Sequence, residues 1–333
     1  MIFVMNLGFA RVVSLVGLLP GLLAAPLLAQ PQQYGRTARV GILAAAPPNP
    51  EGYKAFRQGL LERGWVEGKN LVLDFRSADN QYDLLPALAT ELVALKPDVI
   101  FAVAAPAIRA AMQATSTIPV VIEMLGDAQS AGFVADLARP GGNVTGVSGF
   151  APELIGKRVQ LIRDILPKAD AIGVLANLAN PATPPVVRAT EAAARQLGVR
   201  FHVADIREAR DLAGAFDQMA RHAMVALVVV SDPTLHTLAR QVVELAERHR
   251  LPTVYEQRLF PDAGGLLSYG PGDLDRFQRV AVYVDRILRG AKPFELPVER
   301  PTKFEMVINL KAAKALRLAL PQSVLWQADQ VIQ

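Results

Sequence analysis

The sequence predicts an α/β protein made of two lobes, each a parallel sheet covered by helices. Short apolar runs alternate with segments of helical period, as expected for strands buried on both faces and linked by helical crossovers. The same order of elements occurs twice, with offsets of 132 (Gly41 to Gly173), 134 (Gly64 to Gly198) and 133 (Pro119 to Pro252). The length, 333 residues, suits two domains.

In the first half, residues 39–44 (RVGILA) form an apolar run, followed by a proline-rich loop over 47–50. A helix comes next: Tyr53, Phe56 and Leu60 share one face, and Gly64 is placed to end it. Residues 71–75 alternate like a strand. Asp83 can cap a helix whose apolar face is Leu85, Leu88, Leu92 and Leu95, with Pro97 stopping it. Residues 99–103 and 119–122 are two further buried strands around a short helix over 107–114, and 144–148 closes this half.

The second half repeats the grammar. Residues 171–177 read as a strand, and Thr183-Pro184 as a cap with proline at the first helical position. That helix runs to Gly198, and a strand over 199–203, a helix over 211–222 and a strand over 226–230 follow. One helix is expected over 235–248, then a strand over 253–255. A return segment, 264–270, leads into a helix from Asp273 to Gly290 that buries Phe277, Val280, Val284 and Ile287. Residues 293–301 connect to a strand over 304–309, and the remainder is expected to be mostly helix. These last elements return across the junction, so several strands join the halves. The expected division is 38–148 plus about 265–292 for one lobe, and 149–264 plus about 293–331 for the other.

Residues 1–29 are a separate problem: Arg11 is their only charge, the run is apolar, and small Ala29 precedes polar Gln30. A basic residue, an apolar core and a small residue at the cleavage point make a secretory signal peptide, with Met5 as an alternative start. The competing reading is a retained membrane anchor, but Pro20 and Pro26 interrupt the run and no basic stop-transfer cluster follows. The mature protein is expected to be soluble and periplasmic. The chain has no cysteine, which excludes a disulfide scaffold, a thiolate metal site and a cysteine nucleophile. Its charge of +4 is interspersed, so no nucleic-acid footprint is present.

In open parallel sheets the ligand site lies beyond the carboxyl ends of the strands, where helix N-termini offer unpaired amides to a carboxylate. Candidate ligand-binding residues read off those positions are Tyr53, Ala105, Pro106, Asp127, Ser148, Asn177, Asp232, Tyr255 and Tyr269. Asp127 and Asp232 follow apolar strands, where each can hold an ammonium or cap the next helix. The three tyrosines can stack on a ligand or pack at the rim. No phosphate loop, HExxH pair or dinucleotide fingerprint is present, and residues 146–150 (GVSGF) miss the nucleophile elbow at their last position. The four histidines are not at ligand spacing, so no metal, cofactor or catalytic residue is assigned.

Several segments together carry a resemblance. They include Phe56-Arg57-Gln58-Gly59-Leu60, Glu62-Arg63-Gly64-Trp65, Leu137-Ala138-Arg139-Pro140-Gly141-Gly142-Asn143-Val144-Thr145-Gly146, Ser268-Tyr269-Gly270-Pro271 and Pro301-Thr302-Lys303-Phe304-Glu305. Over roughly 38–331 the chain resembles the ABC transporter substrate-binding proteins of the family that includes tryptophan- and tyrosine-binding lipoproteins. The resemblance implies a type I periplasmic-binding-protein fold, two Rossmann-like lobes with parallel sheets joined by a multi-strand hinge that closes on a ligand. It also implies an inner-membrane permease and its ATPase as partners. Where the family often has Ser-Asp-Pro after the fourth strand, this chain has Gly126-Asp127-Ala128, and Glu256-Gln257 departs from common relatives. The lipid-attachment cysteine is absent.

The leading expectation is a monomeric, extracytoplasmic solute-capture protein of an ABC import system, taking a small molecule such as an aromatic amino acid or small carboxylate. A ligand sensor for a receptor kinase uses the same cleft differently. An α/β enzyme lacks a visible nucleophile–base pair, and a cytosolic regulator lacks a DNA-binding segment before residue 38.

Overall fold

The computed structural model describes residues 37–149 and 152–333; the apolar leader and its cleavage point at Ala29 lie outside the described residues. Five strands form the first sheet: β1 (Ala38–Ala44), β2 (Leu71–Ser77), β3 (Val99–Val103), β4 (Val120–Met124) and β5 (Val144–Ser148). They run in the order β2-β1-β3-β4-β5, all parallel. Helix α1 (Pro50–Leu61) covers one face, while α2 (Leu85–Ala94) and α3 (Ala105–Ala114) cover the other. Asn49 starts α1, its side chain accepting the Gly52 amide at 3.1 Å, and Pro50 fits the first turn, where an N–H has no helical partner. Asp83 does not cap α2; it lies in a single 3₁₀ turn, Tyr82–Leu84, that precedes it.

In the second half, α4 (Pro152–Ile165) leads into β6 (Ala171–Ala176), α5 (Thr183–Gln196), β7 (Arg200–Asp205), α6 (Asp211–Arg221) and β8 (Ala226–Val229). The single helix expected over 235–248 is two, α7 (Pro233–Thr237) and α8 (Ala239–Arg248). Strand β9 (Thr253–Tyr255), helix α9 (Leu259–Asp262) and β10 (Leu267–Pro271) follow. After α10 (Asp273–Leu288) come β11 (Phe304–Asn309), α11 (Leu310–Ala315), α12 (Gln322–Leu325) and β12 (Gln330–Ile332), a short strand in a stretch expected to be mostly helix. The second sheet runs β12-β11-β10-β9-β8-β6-β7, with β11 antiparallel to β10. Its part β7-β6-β8-β9-β10 repeats the strand order of the first sheet, which accounts for the near-constant offset between the halves.

The chain passes between lobes in a reciprocal way. Helix α4 follows the last strand of the first sheet yet buries Ile155, Val159 and Ile162 in the second lobe, against α5 and β9. Helix α10 follows β10 of the second sheet yet packs on α1, β3, β4 and β5. Gly59 makes that packing close: a Cβ there would stand 2.8 Å from the Cβ of Ala281. Strand β10 is paired between β9 and β11 in the second sheet, and α10, which follows Gly272, packs on the first. Residues 298–299 still pair with the first lobe, Val298 N to Leu137 O at 2.7 Å and Glu299 N to Gly146 O at 2.9 Å. Residues 300–303 then lead into β11 of the second sheet.

The two tryptophans differ sharply. Trp65 is buried in the first lobe with its indole N–H on Asp285 Oδ1 at 2.8 Å, whereas Trp326, after α12, is 79% exposed. Among the described residues, no helix is long and apolar enough to cross a membrane.

Candidate functional site

The carboxyl ends of β1, β3, β4, β8, β9 and β10 converge on one cavity of about 920 Å³ with walls from both lobes. This follows from the topology, since parallel strands deliver all their exit loops to the same edge of each sheet. Three of the sequence candidates line it: Tyr53, Ala105 and Asp232.

Tyr53, on α1, forms the first-lobe wall. Its ring sits edge-on to Phe75 and Phe277, with centroids 5.3 and 5.5 Å away. Its hydroxyl is buried and has no hydrogen-bond partner among the described residues. Burial, followed by the negative charge of Glu123, pushes the phenol well above its ordinary value, so it stays neutral. Nearby, Glu123 accepts from Arg276 Nε at 2.8 Å, both side chains being almost fully buried. Ala105 opens α3, whose N-terminus has no side-chain cap and whose preceding residue, Ala104, has φ 70°. Pro106 lies in that first turn but does not reach the cavity.

On the second-lobe wall, Asp232 is 1% exposed and caps α7. Its Oδ1 accepts from Thr234 N at 2.9 Å, Leu235 N at 3.3 Å and Asn177 Nδ2 at 3.3 Å, so Asn177 stands behind it. Its Oδ2 accepts from Asn180 Nδ2 at 2.8 Å. Burial pushes the carboxyl up, and these hydrogen bonds oppose that shift. Glu256 pairs with Arg158 at 3.2 Å, and the adjacent Gln257 presents a buried Nε2 with no partner among the described residues.

Four candidates lie elsewhere for identifiable reasons. Asp127 accepts from Ser130 N at 3.2 Å and Ser130 Oγ at 2.5 Å and pairs with Arg300 at 3.1 Å, so it holds the turn after β4, where no helix follows for it to cap. Ser148 is wholly buried, accepting from Ala128 N at 2.9 Å and donating to Gly126 O at 3.1 Å, so it braces the loop after β4. Tyr255 points to the far side of its sheet and stacks on Phe260 at 4.4 Å. Tyr269 alternates with Ser268: the serine lines the cavity, while the tyrosine packs toward Phe304 and the α4 side.

Sequence reasoning missed Glu123, Arg276, Asn180 and Gln257 as wall residues. Glu123 carried a signal, a lone acid inside the apolar strand Val120–Met124. Its partner stands 153 positions away, beyond the reach of local pattern. Gly126, at the strand-end position after β4, lines the wall as well: a Cβ on it would lie 2.7 Å from the Ala182 Cβ of the opposite lobe.

The model of the family described as ABC transporter substrate binding proteins matches residues 42–332. A tyrosine-binding protein of Clostridioides difficile (strain R20291) is 26% identical over 274 residues, covering 82% of this chain and 79% of that protein. An ABC domain in complex with L-Trp from Streptococcus pneumonia shares 28% identity at a TM-score of 0.83, over 89% of this chain and 100% of that one. A conserved domain protein from Vibrio cholerae gives 0.82 at 28% identity, again over 89% and 100%. With a type I periplasmic-binding-protein fold and an interlobe cavity at the strand ends, this chain belongs to the ABC transporter substrate-binding protein family.

Proposed function

We propose that the protein is the periplasmic capture component of an ABC import system, exported by a cleaved signal peptide and acting as a monomer by binding alone. It takes a small molecule, an amino acid such as an aromatic one or a small carboxylate, between its lobes, closes by hinge motion and presents the closed form to an inner-membrane permease and its ATPase. One observation carries the reading. One cavity is lined from opposite lobes by Tyr53 and Gln257, whose buried Oη and Nε2 find no partner among the described residues. Buried polar groups are rarely left unpaired, and a ligand bridging the lobes would pair both.

The amides at the start of α3, next to Ala105 and Pro106, suit the ligand carboxylate, and Asp232, backed by Asn177, suits an ammonium. Tyr53 supplies a hydroxyl and an aromatic edge. Asp127, Ser148, Tyr255 and Tyr269 support the loops and strands that carry these groups. The L-Trp complex and the tyrosine-binding relative make aromatic amino acids the first ligands to try.

The test is isothermal titration of the mature chain with L-tryptophan, L-tyrosine and a panel of small carboxylates. Saturable one-site binding is expected. Absence of heat for every compound at millimolar ligand would remove the proposed ligand class.

A further inference from the structure

Asp232 belongs to the second lobe, but one donor in its shell of hydrogen bonds comes from the first. The hydroxyl of Tyr82, from the 3₁₀ turn after β2 of the first lobe, donates to Asp232 Oδ2 at 3.2 Å and lies 3.3 Å from Thr234 Oγ1. Beside it, Asn80 Nδ2 donates to Thr237 Oγ1 at 3.0 Å, a second hydrogen bond between lobes. The turn that presents these side chains is unusual. Asp79 and Asn80 are consecutive non-glycine residues in the left-handed region, with φ 48° and 69°. Strain of that kind persists only where surrounding contacts hold it.

The two carboxylate oxygens divide the work. Oδ1 is committed to its own lobe through the α7 cap and Asn177, while Oδ2 is shared between Asn180 and Tyr82. Asp232 makes no ion pair with any described residue, so neutral donors alone hold it. A nearly inaccessible carboxylate served by neutral donors loses much if one departs without water replacing it. Contact with Tyr82 is available only while the lobes are together.

We propose that Tyr82, assisted by Asn80, is a latch: a positioning residue that completes the shell of Asp232 on closure and thereby sets the closed population and the rate of ligand release. This rests on the hinge-closing reading above, and it adds a determinant that contacts the wall carboxylate rather than the ligand. Phenylalanine keeps the ring of Tyr82 in the first-lobe core and removes only the hydroxyl.

The chain has no cysteine, so Lys54→Cys and Ala263→Cys, exposed positions on opposite lobes, can be spin-labelled uniquely. Double electron–electron resonance then reads the interlobe distance with and without L-tryptophan as the probe. Tyr82→Phe should shift the ligand-free distribution toward longer distances and speed L-tryptophan release roughly three- to tenfold, with the thermal midpoint nearly unchanged. Asn80→Ala should move the distance the same way by less, and Tyr82→Phe should have a smaller effect in a Thr234→Val background than alone. A Tyr82→Phe distribution that superposes on the unmodified protein overturns the latch. If L-tryptophan fails to bind the unmodified protein, the ligand reading is what suffers, and the ligand-free distances still decide the latch.

Discussion

Tyr53 carries a hydroxyl that no described residue pairs, and a single-atom deletion there separates binding from folding. Tyr53→Phe should weaken ligand binding by roughly three- to tenfold while leaving the thermal midpoint equal or slightly higher, since an unpaired buried hydroxyl costs stability. Titration and a melt on the same sample check both halves. Asp232 has a pH signature of its own. Burial raises its carboxyl above the ordinary 3.8, so the folded state binds that proton more tightly than the unfolded chain. It therefore contributes stability at pH below 3.8 that is lost as pH rises through the folded-state value. Urea midpoints across the acid range should show this downward contribution, and Asp232→Asn should abolish it. Strand-end logic located Tyr53 and Asp232. It could not tell which way the side chains of β9 and β10 alternate, and this puts Tyr255 and Tyr269 behind the wall.

Secondary elements were legible where apolar period and punctuation agreed, as in β1, α1, β3, β6 and β8. They were less so where a tertiary contact intervened. The break between α7 and α8 at Leu238 leaves no proline or glycine in the sequence to announce it. Strand β12 forms because β11 offers it an edge, with Ile308 opposite Val331. The clamp of α10 on the first sheet depends partly on the Glu123–Arg276 pair, buried at 6% and 5% side-chain exposure. Arg276→Met should destabilise the protein by about 3–5 kcal/mol, because the acid is left in the interior without its cation. Adding Glu123→Gln should restore part of that loss, and denaturant titration of the single and double variants measures both.

At the scale of the whole molecule, one close approach between the lobes is where Gly126 faces Ala182. A side chain there acts as a wedge. Gly126→Val should leave each lobe folded but reduce the closed population, and a tenfold reduction would raise the apparent Kd tenfold. Scattering profiles with and without L-tryptophan, together with titration, test it; unchanged affinity would show that the lobes need not approach so near. The plan of two similar sheets was readable from the repeated order of elements, whereas the pairings that tie the linking segments down were not. The pairing of β9 with β10 and of β5 with Glu299 joins positions that no local pattern relates.

The unequal surroundings of the two indoles have an optical consequence. Trp65 is shielded inside one lobe, while Trp326, in the other, already stands in water. Emission during denaturation will therefore follow the melting of the N-terminal lobe almost alone. Far-ultraviolet dichroism samples both sheets, so any gap between the two curves would time one jaw against the other.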